Sequence, residues 1–367
     1  MQSKQFMEYI VTRFQVPGKY VCHEEICSGI INRTYLVTMD LGDNQYHKYV
    51  FQKINTNVFR EPYHVMENIM HVTEHIKKLL INQNGDYTRR VLSFALTHDG
   101  KPYFENEIDG FWRCYEYIDD AVAYNIAPDK DHIFEAGFAF GEFQYRLKDY
   151  DATTLYETIP NFHNTVSRMQ ALHQAIADNK AGRLHKIQPE IEFILEREAE
   201  AGAIVHALES GAIPYRVTHN DTKINNVLFD ISSDKAICVI DLDTVMPGSS
   251  LYDFGDAIRS GSCAAAEDEQ DLSKVSLDLE LFEVYVKGFL EGCGGSLTET
   301  EVKMFPMGAK NMTMECGMRF LTDYLQGDTY FRVHREGHNL DRCRTQIALV
   351  EDMEAKWDQM QAIVAKY

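Results

Sequence analysis

The sequence predicts an α+β protein in two unequal parts, a small β-rich part over residues 1–118 and a larger, mainly helical part over 119–367. Three observations predict it. Strand-type runs cluster before residue 118, the hydrophobic pattern switches from period two to helical spacing at Asp119-Asp120, and most long apolar patterns beyond that point are helical. With 367 residues and 45% hydrophobic content, the chain can fill one large core or two ordinary ones.

Taken in order, a short amphipathic helix with Phe6, Ile10 and Phe14 opens the chain. Residues 21–54 read as strands: Tyr35-Leu36-Val37-Thr38-Met39, a Gly42-Asp43-Asn44 turn, then Tyr49 to Ile54. Ahead of them, Ser28-Gly29-Ile30-Ile31-Asn32-Arg33-Thr34 is a turn with a single glycine, which reads either as a phosphate-binding loop or as an ordinary hairpin turn. Residues 63–80 carry Val65, Ile69, Val72, Ile76, Leu79 and Leu80 at helical spacing. This helix includes His71-Val72-Thr73-Glu74-His75, an H-x-x-E-H pattern able to bind zinc if a third ligand exists, but also what two surface histidines on a helix would give. Residues 91–104 and 111–118 read as further strands, and the hinge between the parts is expected at Asp119-Asp120. Helices are expected over 133–147, 165–178, 189–208, 277–290, 298–325 and 341–365. Met246-Pro247-Gly248 reads as a turn, and Asp253-Phe254-Gly255-Asp256 as an acidic turn ahead of a short helix, with Asp256 as a brace.

Composition excludes several function classes. A formal net charge of −20, from 36 basic and 56 acidic residues with no basic block, repels a phosphodiester backbone, so no nucleic-acid partner is expected. No stretch approaches eighteen consecutive apolar residues and the N-terminus is amphipathic, so no membrane partner and a cytoplasmic location are expected. Eight cysteines without a C-x-x-C pair fit reduced thiols rather than disulfides or zinc.

The chemistry concentrates in Val217 to Asp243. His219-Asn220-Asp221-Thr222-Lys223-Ile224-Asn225-Asn226 matches H-x-D-x-x-x-x-N, in which an Asp accepts the proton of an attacking hydroxyl and an Asn ligates magnesium. Val227-Leu228-Phe229 and Ala236 to Ile240 read as a hairpin that returns Asp241 to the side of Asn226, so two oxygen ligands converge on one small cation. His219 reads as a scaffold residue rather than a base.

These motifs, with Asp253-Phe254-Gly255-Asp256 and Thr313-Met314-Glu315-Cys316-Gly317-Met318-Arg319-Phe320, resemble the aminoglycoside phosphotransferase and choline kinase superfamily and, within it, the N-acetylhexosamine 1-kinase branch. The resemblance spans nearly the whole chain. It implies a protein-kinase-like two-lobed fold, with a nucleotide-binding lobe over 1–118 and a catalytic and substrate-binding lobe over 119–367. It implies ATP as co-substrate, Mg2+ as cofactor, and transfer of a phosphoryl group to the C1 hydroxyl of a small-molecule sugar, an N-acetylhexosamine; a kinase for another small alcohol, such as another sugar, an amino alcohol or an aminoglycoside, is the alternative. Carried over by position, Asp221 is the catalytic base beside the substrate, Lys223 offsets phosphoryl charge, and Asn226 and Asp241 hold the metal. Gly29, Asn32, Thr34 and either Gln52 or Lys53 meet the nucleotide, while Arg319 and Tyr330 face the sugar. Ile30 stands at a sugar-proximal position where the branch has a histidine. The resemblance suits a monomer or weak homodimer. A nucleotide-binding protein without catalysis is disfavoured by the intact Asp221, Asn226 and Asp241 set.

Overall fold

The computed structural model describes residues 3–26 and 31–367. Helix α1 (Lys4–Val11) is capped by Ser3, whose side chain accepts from the Phe6 N–H, and buries Met7, Ile10 and Val11. They pack on a five-stranded antiparallel sheet of order β1-β2-β3-β5-β4, formed by β1 (Lys19–Ile26), β2 (Arg33–Gly42), β3 (Gln45–Lys53), β4 (Phe104–Asn106) and β5 (Gly110–Glu116). Side chains alternate across a strand, so Tyr35, Val37, Phe51, Trp112 and Cys114 form the face under α1. Thr34, Gln52 and Arg113, paired in register across β2, β3 and β5, belong to the opposite face. Helix α2 (Pro62–Asn82) starts on Pro62, where the missing N–H costs nothing, and buries Val65, Ile69 and Val72.

Past the sheet, β6 (Ala121–Val122) pairs with β8 (Val227–Asp230), which pairs with β9 (Ala236–Val239); β7 (Arg216–Thr218) pairs with β10 (Met246–Gly248). The rest is helical: α3 (Lys130–Arg146), α4 (Thr165–Asp178), α5 (Gln188–Glu196), α6 (Glu198–Ala201), α7 (Ala203–Glu209), α8 (Ser250–Gly261), α9 (Leu279–Cys293), α10 (Glu299–Lys303), α11 (Phe305–Gln326), α12 (His338–Ala355) and α13 (Trp357–Val364). A Cβ on Gly141 would fall 2.2 Å from Phe289 O, and one on Gly292 2.2 Å from Phe138 O, so α3 and α9 pack backbone against backbone. Helix α11 runs through the large part against α4, α8 and α12. Among the described residues no helix is long and apolar enough to cross a membrane.

The predicted α+β class holds, with a small antiparallel sheet first and a larger helical part after it. Several elements differ in detail. Residues 91–103 form no strand; they run beside β5 with a single bridge, Phe94 to Tyr115, before the Asp99-Gly100 turn. The expected helix over 189–208 breaks at Arg197 and Gly202, and that over 298–325 breaks at Met304, because Pro306 lacks the N–H needed to continue a helix from α10. Met246-Pro247-Gly248 is the edge strand β10 rather than a turn. Asp253 to Asp256 lies inside α8 rather than ahead of it, which puts both carboxylates on one helix face.

Candidate active site

The loop after β7 is held from beneath. His219 is fully buried, edge-on to Phe140 and Phe143 at 5.4 and 6.0 Å. Its Nδ1 accepts the Asp221 N–H at 3.3 Å, so Nε2 carries the proton and donates to Ile240 O at 2.9 Å. With both ring nitrogens engaged, His219 shapes the loop and has no nitrogen left to serve as a base. Asp253 on α8 completes the support: Oδ2 accepts from His219 N at 3.0 Å and from Gln144 Nε2 at 2.7 Å, and Oδ1 accepts from Asn220 N at 2.7 Å. Burial pushes the Asp253 carboxyl up from its ordinary range despite these donors. Asp256, the expected brace, accepts from Thr222 N at 3.1 Å and pairs with Arg259. Its burial is outweighed by the Arg259 and Lys223 charges, which hold it near about 2. The brace is therefore a pair of carboxylates, and Asp253 takes the larger share of the loop backbone.

This support presents Asp221, whose side chain is 31% exposed, with Lys223 Nζ at 2.8 Å from Oδ1. Partial burial disfavours the Lys223 ammonium, but Asp221 and Asp256 outweigh it and hold its pKa above the ordinary range. Asn226 donates its amide nitrogen to Asp221 O at 2.8 Å and Oδ2 at 3.1 Å, which turns its carbonyl oxygen the other way. The β8–β9 hairpin closes as expected: Ile240 N donates to Asn226 O at 2.9 Å, so Asp241 follows directly beside Asn226. Asp241 and Asn220 both adopt left-handed backbone, at φ 61° and 66°, a conformation that Asp and Asn reach more readily than other non-glycine residues. The Asp241 carboxyl is pushed up to about 7 by burial and by the neighbouring Asp243 and Asp221 charges. Hard oxygen donors and crowded carboxylates suit a divalent cation, and Asn226 and Asp241 are the side chains here that could hold one.

Strand register separates the two residues that the sequence left open, Gln52 and Lys53, onto opposite faces of the sheet. Lys53 pairs in register with Trp112 and so lies on the α1 face, its side chain beside Gly110. Gln52 lies on the opposite face. Its Nε2 donates to Thr34 Oγ1 at 3.0 Å and its Oε1 accepts from Arg113 Nε and Nη2 at 2.9 and 2.7 Å. The third arm of Arg113 pairs with Asp243, and both side chains are at most 5% exposed. Asn32 donates to Asp243 Oδ2 at 2.5 Å and accepts from Asn55 N at 2.9 Å, so it ties the first loop to this carboxylate. Gly29 and Ile30 lie outside the described residues. Arg113 and Asp243 were not singled out in the sequence, where Arg113 looks like one polar residue inside an apolar strand.

The Arg319 and Tyr330 region, expected to face the sugar, is reached through His163, which the sequence reading missed. Its Nε2 donates to Asn220 O at 3.1 Å and its Nδ1 faces Glu315 Oε1 at 2.9 Å, linking the loop directly to α11. Arg319, one turn beyond Glu315, lies between the Phe162 and Phe331 rings at 5.3 and 5.6 Å. Its separation from Glu315 is 3.9 Å, too long for a tight pair. Asp323 accepts the backbone N–H groups of Thr329, Tyr330 and Phe331 at 2.8, 2.8 and 3.0 Å, which folds this segment back and sets Tyr330 beside Arg319. Arg168 belongs to the same cluster: burial and the Arg319 charge lower its pKa.

His71 is exposed on α2 and His75 lies edge-on to Tyr150 at 5.2 Å. Among the described residues no group of three or more His, Cys, Asp or Glu forms around them. Replacing both by alanine is expected to leave phosphoryl transfer within about twofold, since surface changes away from a site shift free energies by about 0.5 kcal/mol at most. Loss of stoichiometric zinc together with activity, read by elemental analysis and assay, would contradict this.

Residues 23–284 match the model of a family described as phosphotransferase enzyme family. Three solved structures are similar in fold. An aminoglycoside phosphotransferase from Alicyclobacillus acidocaldarius is 13% identical with a TM-score of 0.65, covering 100% of this chain and 98% of its own. Choline kinase from Cryptosporidium parvum is 12% identical with a TM-score of 0.61, covering 100% and 99%. A spectinomycin phosphotransferase in complex with ADP and spectinomycin is 12% identical with a TM-score of 0.56, covering 98% and 99%.

Proposed function

This chain belongs to the phosphotransferase enzyme family, and on that premise we propose that it transfers the γ-phosphoryl group of ATP to the anomeric C1 hydroxyl of an N-acetylhexosamine, giving the sugar 1-phosphate. The observation that carries the acceptor side is the His163 bridge, which sets the Arg319 and Tyr330 cluster against the loop bearing Asp221. Two guanidiniums, Arg168 and Arg319, stand there with the carboxylates Glu315 and Asp323. A guanidinium fork and a Tyr hydroxyl suit a neutral, polyhydroxylated ring with an acetamido oxygen, to which both can donate.

In the reaction, Asp221 aligns the C1 hydroxyl and takes its proton as the new P–O bond forms and the bond to the ADP oxygen breaks. Because such transition states are loose, a carboxylate need accept the proton only late in transfer. Lys223, anchored on Asp221, offsets charge on the phosphoryl oxygens. Magnesium held by Asn226 and Asp241 would add charge neutralisation on the phosphates. Leu36 and Val50, on the same sheet face as Gln52, offer an apolar surface for the adenine.

A coupled ADP-release screen over N-acetylglucosamine, N-acetylgalactosamine, glucose, galactose, choline and ethanolamine tests the acceptor. Turnover is expected with the N-acetylhexosamines, with phosphorus coupling to the anomeric proton in the product. Turnover of choline or ethanolamine in preference to every sugar would sink the proposal. Arg319→Ala and Tyr330→Phe are each expected to lower kcat/KM for the sugar by about 1–3 kcal/mol with the ATP KM little changed. Equal changes in the ATP and sugar parameters would remove both residues from the acceptor site.

A further inference from the structure

We propose that Arg113 is the small-lobe cation that receives the phosphates of the nucleotide, and that Asp243 is the stand-in anion that keeps it aimed until they arrive. The inference rests on the nucleotide-dependent reaction proposed above. It starts from the register of the sheet. Thr34, Gln52 and Arg113 are direct cross-strand partners, so they form one row on one face, and that face carries Arg113 to Asp243, two residues past Asp241. Lys53, the basic residue that sequence spacing offers for this task, lies on the other face.

The contacts of Arg113 hold it in one orientation. Gln52 Oε1 accepts from both Nε and Nη2, and Gln52 is itself fixed by Thr34, so the guanidinium plane is set before any ligand arrives. Nη1 faces Asp243, with the Met66 sulfur at 4.0 Å. A planar fork of five N–H donors matches phosphate oxygens in bidentate fashion, which a lysine does not.

Asp243 has the position of an exchangeable partner. It lies in the turn that follows Asp241, and its other oxygen holds Asn32. One carboxylate thus joins Asn32, the β5 cation and the segment of the metal-ligand candidate. As a purely structural device the pair would be a poor choice, because a buried ion pair adds little stability over packed apolar residues. A polyphosphate presents the same oxygen chemistry as the carboxylate and carries more charge, so it can replace Asp243 as the partner of Nη1.

The test measures affinity by calorimetry in EDTA, without metal, for ADP and for adenosine. In Arg113→Gln, ADP affinity is expected to fall at least tenfold while adenosine affinity stays within twofold, since adenosine has no phosphates. In Asp243→Asn, where the competing anion is gone, ADP should bind at least as tightly as to the unmodified chain. If Arg113→Gln fails to fold because Asp243 is left unpaired, the Arg113→Gln, Asp243→Asn double variant is measured instead, with the same tenfold loss for ADP alone expected. Equal losses for ADP and adenosine, or no loss for either, would overturn the inference, as would an Asp243→Asn defect for ADP as large as that of Arg113→Gln. Failure of the unmodified chain to bind either ligand would instead overturn the ATP reading on which it rests.

Discussion

Asp221→Asn is expected to fold as the unmodified chain does and to lose turnover by a factor of about 10² to 10⁴. The substitution keeps the shape of the side chain and removes its ability to take a proton. Asp221 is partly exposed, so its replacement opens no core cavity, and a stability change within about 0.5 kcal/mol is expected. The change also removes one of the charges that push the Asp241 carboxyl up, which offsets the loss of the charge pairing with Lys223. Thermal melts and kcat at saturating ATP and sugar give the two readouts. Turnover near that of the unmodified chain would show that some other group takes the proton.

What could be read from the sequence follows from how local each feature is. His219, Asp221 and Asn226 lie within eight residues, and the hairpin that returns Asp241 needs only two short apolar runs, so the centre of the site was legible. The Arg113 contact was not, because placing Arg113 beside Gln52 requires the register between residues 61 apart in the chain. His163 was hidden for the same reason: nothing near residue 163 signals that its ring will join Asn220, 57 residues on, to Glu315, 152 residues on. Helical periodicity located the helices but not their breaks. Residues 189–208 keep one apolar face through Arg197 and Gly202, so the pattern stays continuous where the backbone does not. Asp253 and Asp256 were visible as an acidic cluster, but a Gly between them suggested a turn. In the structure Gly255 lies inside α8, and a Cβ there would fall 2.3 Å from Gly308 O on α11, so close helix packing explains that glycine.

The support under the loop gives the second large effect, and its signature should differ from that of Asp221. Asp253→Ala removes the acceptor of two backbone N–H groups, at His219 and Asn220, and of the Gln144 amide, all in a fully buried site. Each buried donor left unpaired costs about 1–3 kcal/mol, and losses of about 3–5 kcal/mol are usual when a buried charged partner is deleted. The chain should therefore lose about that much stability in denaturant titration. Turnover should fall as well, because the Asn220 φ of 66° and the aim of Asp221 depend on these bonds, and a misplacement of about 1 Å can cost about 10²-fold. Asp253→Asn keeps the volume but turns one acceptor oxygen into a donor facing an N–H, so it should fall between the two in stability. Asp221→Asn lowers turnover alone, whereas Asp253→Ala lowers stability and turnover together. A stable Asp253→Ala variant with ordinary turnover would show that the loop holds its shape through His219 and the Thr222 to Asp256 contact without this carboxylate.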